Sequence, residues 1–236
     1  MLDFRQSNST KAEFEELALA HLDPLYSAAL RLDPNLAAAH NNLAVLQLQK
    51  GQIDLGAAEL RLALKLRPDD PETQYNLAMA LNQQERWNEA ADLFSRLGSS
   101  RQDDPKFHFQ FGLALAHERK TKEAMSHYAR ALLLQPDYPE ALDRLSWILA
   151  TDPNPELRNG TEAVRMASSA CELTSNKRPE MLLTLAAALA EEGRYSEAQI
   201  AAQRAGALAS DLRRQDIARK CDSVSEVLRM DQPWRE

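Results

Sequence analysis

The sequence predicts an all-α chain, a solenoid of antiparallel helix pairs. Pro34, Pro68 and Pro136 stand 34 and twice 34 residues apart, with Gln102 in the vacant position. Pro71, Pro105 and Pro139 repeat the same interval, as do Ala44, Ala78 and Gly112. Ala29, Ala63 and Ala131 form a fourth series, in which Leu97 is the exception. Four series sharing one period mark a chain of stacked units. Composition agrees: 7 glycines and 6% aromatic residues in 236 disfavour an all-β chain, which needs aromatic and β-branched strands and Gly-rich turns.

The elements follow in order. Residues 1–36 read as N-terminal capping helices or a partial repeat. They keep Tyr26, Ala29 and Pro34, but Asp23-Pro24 breaks the segment into two short helices. Residues 37–70 carry Leu43, Ala44 and Gln47 on a first helix that Gly51 stops, then Ile53, Gly56, Leu60, Ala63 and Leu64 on a second that Pro68 ends. Residues 71–104 repeat this with Leu77, Ala78, Leu81, Trp87, Ala90 and Phe94, and residues 105–138 with Phe111, Gly112, Leu115, Ala124, Tyr128 and Ala131. A proline at the head of a unit sits at the first helical position, where its missing N–H costs nothing. Residues 139–178 form a fourth pair with a lengthened turn over 151–160. Ala163 follows Ala124 by 39 residues where 34 is expected, and Pro153 and Pro155 forbid helix there. Residues 179–212 make a fifth pair through Ala186, Gly193, Tyr195, Ala198 and Ala205. Residues 213–236 hold a polar amphipathic capping helix and a tail, since the last unit of a solenoid needs its apolar face covered.

Small residues at fixed stations, with Gly51 and Pro68 closing the unit that opens His40-Asn41-Asn42-Leu43-Ala44, resemble the tetratricopeptide repeat (TPR) family. The resemblance covers residues 37–212 and implies a right-handed α-solenoid, the TPR superhelix. It also implies that the first helix of each pair lines a concave groove. One inward column would hold Asn41, Tyr75, Phe109, Asp143 and Leu183; another Val45, Met79, Leu113, Trp147 and Ala187. Asn42, Asn76, Gln110, Arg144 and Thr184 would form a third, which resembles the asparagine ladder of O-linked N-acetylglucosamine transferase. A carboxamide offers one acceptor and two donors, so a column of them can hold a peptide backbone. The alternative is that these amides bond to adjacent helices, and that the apolar members pack between helices. The expected peptide-binding groove is therefore Asn42, Val45, Tyr75, Asn76, Met79, Phe109, Gln110, Leu113, Arg144 and Trp147. The family's clamp for chaperone tails fits poorly, because it wants Lys and Asn where this chain has Asn41 and Val45. The fourth pair and the Pro-Trp-Arg ending are also similar to the last repeats of larger bacterial TPR proteins, some of which attach to membrane glycosyltransferases.

Charge and motifs exclude other classes. The chain carries 28 basic and 35 acidic residues, a net charge of −7, which gives no global pull toward nucleic acid or anionic lipid. The apolar run over 181–190 is roughly half the length that spans a bilayer, so no direct membrane insertion is expected. No phosphate loop, nucleophile elbow or zinc-protease motif occurs in the sequence. The five histidines and the carboxylates lack metal-ligand spacing. The expectation is no catalytic residue, no metal and no cofactor. Cys171 and Cys221 are too few and too distant for a disulfide framework, and Cys171 lies on an apolar face as an inert thiol. That points to a cytoplasmic protein, or a periplasmic one if the chain is a piece of a longer protein. The expected function is a non-catalytic adaptor for a protein or peptide partner. The alternatives are a self-assembling scaffold, a homo-oligomer joined at an apolar end face of Phe14, Leu17 and Leu22, or the detached regulatory repeats of a membrane glycosyltransferase system.

Overall fold

A computed structural model describes residues 24–98 and 100–236. Residues 1–23, and with them Phe14, Leu17 and Leu22, lie outside the described residues. The chain is all-α and its helices pack as adjacent antiparallel pairs. It divides into two compact units, Met1–Gln102 and Asp103–Glu236.

In the first unit residues 24–32 are helical. Then come α1 (Ala37–Gln49) paired with α2 (Ile53–Leu66), and α3 (Pro71–Gln83) paired with α4 (Trp87–Leu97). The second unit contains α5 (Pro105–His117) with α6 (Thr121–Leu134), and α7 (Pro139–Thr151) with α8 (Gly160–Leu173). It continues with α9 (Pro179–Glu191) paired with α10 (Tyr195–Asp211), closed by α11 (Gln215–Leu228) packed on α10.

Helix starts follow local chemistry. Pro71 and Pro105 stand in the first turns of α3 and α5, each behind an aspartate cap. Asp70 accepts the Thr73 N–H at 2.8 Å, and Asp104 accepts those of Lys106 at 2.9 Å and Phe107 at 3.2 Å. The stops share one geometry. After α1, α3, α5 and α9 the chain takes a left-handed residue, Gly51, Glu85, Arg119 and Gly193, with φ of 74°, 58°, 60° and 81°. The next N–H then bonds back across the turn, as from Gln52 to the Gln47 carbonyl at 2.8 Å and from Arg86 to Leu81 at 2.9 Å.

Within a pair, small residues set the approach of the two helices. A Cβ on Gly112 would lie 2.8 Å from the Tyr128 ring and 3.2 Å from the Ala124 carbonyl oxygen. Ala44, Ala78, Ala63 and Ala131 are fully or almost fully buried, so the alanine series are contact points between helices. The core of the second unit runs from Phe109 and Tyr128 through Leu145, Met181 and Ala186 to Val224 and Leu228.

The lengthened turn of the fourth pair contains a 3-10 turn, Pro155–Leu157, and is fastened at its far end. Asn159 donates its N–H to the Leu149 carbonyl at 2.9 Å and caps α8 through Glu162 N–H at 3.1 Å. Arg158 reaches Glu191 on α9 at 2.9 Å, with both side chains mostly covered. The extra residues thus tie one pair to the next. The segment 231–236, expected as a tail, lies against the second unit. Glu236 donates its N–H to the Thr151 carbonyl at 3.1 Å, and Arg235 bonds the Ala150 carbonyl at 3.2 Å and Glu191 at 2.5 Å.

Candidate functional site

The ten residues expected to line a groove divide equally between the units. In the first, α1 carries Asn42 and Val45, and α3 carries Tyr75, Asn76 and Met79. The carboxamides bond within the chain: Asn76 donates to Asn41 Oδ1 at 3.0 Å, and Asn42 to the Tyr26 hydroxyl at 3.3 Å. The Tyr75 ring meets Phe94 edge-on at 6.2 Å and lies 4.0 Å beneath the Arg101 guanidinium. Val45, Tyr75, Asn76 and Met79 are half-buried. The amide column therefore links helices, with part of its hydrogen-bonding capacity committed inside the protein.

The second unit brings more together. Phe109 is buried at 8% exposure between Tyr128 and Tyr138, with ring centroids 5.9 and 5.1 Å away. It belongs to the core and offers little surface to a ligand. Tyr128 comes from α6 and Tyr138 from the residue just before α7, so two neighbouring elements cover the ring. Gln110 is half-buried. Leu113, Arg144 and Trp147 converge on a cavity of about 480 Å³. Its apolar wall is Leu113, Trp147, Ile148, Leu183 and Ile217, from α5, α7, α9 and α11.

Three residues of the polar wall each carry a buried polar atom without a partner. Asp143, on α7, is 5% exposed and its Oδ1 has no hydrogen-bond partner. The Tyr128 hydroxyl, on a fully buried residue, and Glu180 Oε2 are in the same condition. All three residues line the cavity. Burial pushes the Asp143 carboxyl above the usual carboxylate range, against the pull of a Thr184 hydrogen bond and the Arg144 charge. Burial likewise pushes the Tyr128 phenol well up. Burial also works on Glu180, but its own backbone N–H and Arg178 outweigh it and hold the carboxyl low. Its other oxygen accepts from Arg178 at 2.8 Å. Buried polar atoms in folded proteins nearly always have partners, so three on residues around one cavity are hydrogen-bonding capacity left unused there.

The rim comes from parts of the chain that the repeat pattern did not implicate. Lys220 of α11 sets its ammonium 4.2 Å from the centroid of the Trp147 ring, and Glu236 holds that ammonium at 2.9 Å. Asp143, Leu183 and Thr184 stand on the columns that the TPR resemblance implies face inward. Lys220 and Glu236 do not, because their positions depend on contacts beyond one pair, and Tyr128 belongs to the second helix of its pair, outside those columns.

Other reactive groups are quenched. Burial pushes the Cys171 thiol up to about 12 and the Cys221 thiol to about 11, so neither is a nucleophile at neutral pH. His40 bonds Glu59 at 2.5 Å and the Pro34 carbonyl at 3.0 Å. His108 and His127 face each other through their Nδ1 atoms at 3.0 Å, and burial together with the neighbouring His108 lowers His127 to about 4. Among the described residues no helix is long and apolar enough to cross a membrane.

Comparison with known proteins agrees with this geometry. Tetratricopeptide repeat family models match residues 25–56 and 56–108. Residues 25–108 thus match tetratricopeptide repeats. Residues beyond 108 continue the TPR arrangement of paired helices, and similar solved structures extend over most of the chain. The TPR protein YrrB, described as having an unusual peptide-binding site, superposes with a TM-score of 0.63 at 18% identity over 84% of this chain and 97% of its own. The TPR protein TTC0263 from Thermus thermophilus gives 0.57 at 21% identity, covering 79% of this chain and 97% of its own. MamA from Desulfovibrio magneticus gives 0.60 at 14% identity, covering 72% and 93%. At such identities the likeness is one of TPR fold. A search of curated protein sequences returns no match.

Proposed function

We propose that this protein is a non-catalytic adaptor, and that the cavity of its second unit docks an extended segment or helix of a partner protein. TPR proteins generally mediate protein–protein interactions, and YrrB is described as having a peptide-binding site. The observation that carries the reading here is the cavity around Trp147. It joins an apolar wall of about five side chains to buried polar atoms that lack partners. A ring with two rotatable bonds gives large contact area at low entropic cost, which suits an anchor point. Of the residues expected in the groove, Leu113, Arg144 and Trp147 carry this role most directly. Within the same unit, Gln110 would contribute where its half-covered side chain leaves surface.

The test is affinity capture from the host followed by mass spectrometry, run in parallel on variants. Trp147→Ala should lose the captured partner while far-UV circular dichroism stays unchanged. Leu133→Ser, which alters an apolar side chain 71% exposed and outside the cavity, should keep it. Equal capture by Trp147→Ala and the unaltered protein would contradict the reading.

A further inference from the structure

We infer that the cavity takes the end of a lysine or arginine side chain of the partner segment, with Asp143 as its principal acceptor. This rests on the docking reading above and adds the chemistry of one subsite.

Three residues that line the cavity each carry a buried acceptor without a partner: Asp143 Oδ1, Glu180 Oε2 and the Tyr128 hydroxyl oxygen. Two belong to carboxyl groups. A cationic head has donors only, three on an ammonium and five on a guanidinium, so it matches a set that is rich in acceptors. The cavity wall suits an aliphatic stem, since it includes Leu113, Trp147 and Leu183. Long basic side chains bury their stems on such surfaces while the charged end finds its counterpart. The rim already shows that the Trp147 face accepts a cation, because Lys220 sits over it.

Charge balance points the same way. Arg178 serves one oxygen of Glu180, and Arg144, itself exposed, lies close enough to Asp143 to draw its carboxyl downward. Neither donates to Asp143 Oδ1. Burial nevertheless prevails at Asp143 and disfavours its charged form. A carboxyl in that state has acceptor capacity but an incomplete counter-charge, and an entering cation supplies it. An anionic group would instead meet Asp143 and Glu180 together. A purely apolar side chain would leave the three oxygens desolvated and unbonded.

The probes are n-butylguanidinium and n-butylammonium, with n-butanol and n-butyrate as neutral and anionic counterparts of the same length. The readout is the Trp147 indole resonance in nitrogen–proton correlation spectra, assigned by its loss in Trp147→Phe. Both cations should shift it saturably, with butanol and butyrate at least about ten-fold weaker. Asp143→Asn, which keeps shape and removes charge, should weaken the cations by about ten-fold or more, the scale of one charged hydrogen bond. Tyr128→Phe, which deletes only a hydroxyl, should weaken them a few-fold and serves if the first variant does not fold. Butanol shifting the resonance as strongly as the cations, no shift with any probe, or cation binding unaltered by both variants would each overturn the assignment. Should Trp147→Ala lose the captured partner while Asp143→Asn retains it undiminished, the docking reading stands and the cationic subsite falls.

Discussion

At Asp143 stability and the proposed cation binding pull in opposite directions. Its folded-state carboxyl titrates above the ordinary aspartate range, so the native protein holds a proton that the unfolded chain releases. Stability at this site is therefore lost as pH rises from the unfolded value through the folded one. Asp143→Asn should raise the thermal midpoint at pH 8, with the gain shrinking toward pH 4, while it weakens cation binding. Melting curves at both pH values check this. His127 acts in the reverse sense. Held down at about 4, it stays neutral in the fold while an unfolded histidine protonates near 6.5, so stability falls as the pH drops through that window. In His127→Gln the acid-side loss between pH 6.5 and 4 should be smaller, as measured by urea unfolding at a series of pH values. Gly112 is a residue of contact. A methyl there meets the Tyr128 ring and the Ala124 carbonyl oxygen, and Gly112→Ala should cost about 1–3 kcal/mol by denaturant titration.

At the scale of elements, the turn between paired helices decides how regular the repeat is. Gly51 and Gly193 supply a left-handed residue without steric cost, whereas Glu85 and Arg119 adopt the same backbone with a Cβ in place. Glu85→Gly and Arg119→Gly should each gain roughly 0.5–1 kcal/mol, read as a higher urea midpoint at unchanged slope. Here the sequence was legible in part. Pro71 and Pro105 mark helix starts because proline at the first turn has a local cause, and the aspartates before them cap for an equally local reason. Gly51 marked a stop in the same way. The stops at Glu85 and Arg119 carry no such mark: the packing of the following helix imposes the turn and overrides residue preference. The small-residue series were legible as contact points. The burial of Phe109 was not, because Tyr128 and Tyr138 cover it from other elements.

On the scale of the whole molecule, the second unit is closed by contacts of long sequence range. Glu191 receives Arg158 from the lengthened turn and Arg235 from the last residues of the sequence. Neither pairing has a periodic signature, and a short segment that reads as a tail in fact lines the rim through Glu236, which holds Lys220 of α11. Arg235→Ala should lower the stability of this unit by about 1 kcal/mol, as seen by thermal unfolding, since it removes a partly covered ion pair and a bond to a helix-end carbonyl. Paired helices were available from the 34-residue interval, and the columns expected to face inward from the resemblance to the TPR family. The cavity was not, because α11 and residues 231–236 complete it.

Hydrogen–deuterium exchange of the protein alone and in complex with its captured partner measures the docking surface without prior choice of residues. Protection on binding should gather in α5, α7 and α9, strongest around Trp147, the helices that supply Leu113, Asp143 and Leu183 to the cavity. Protection confined to α8 and α10, with those three helices unchanged, would contradict the assignment of the cavity as the place where a partner docks.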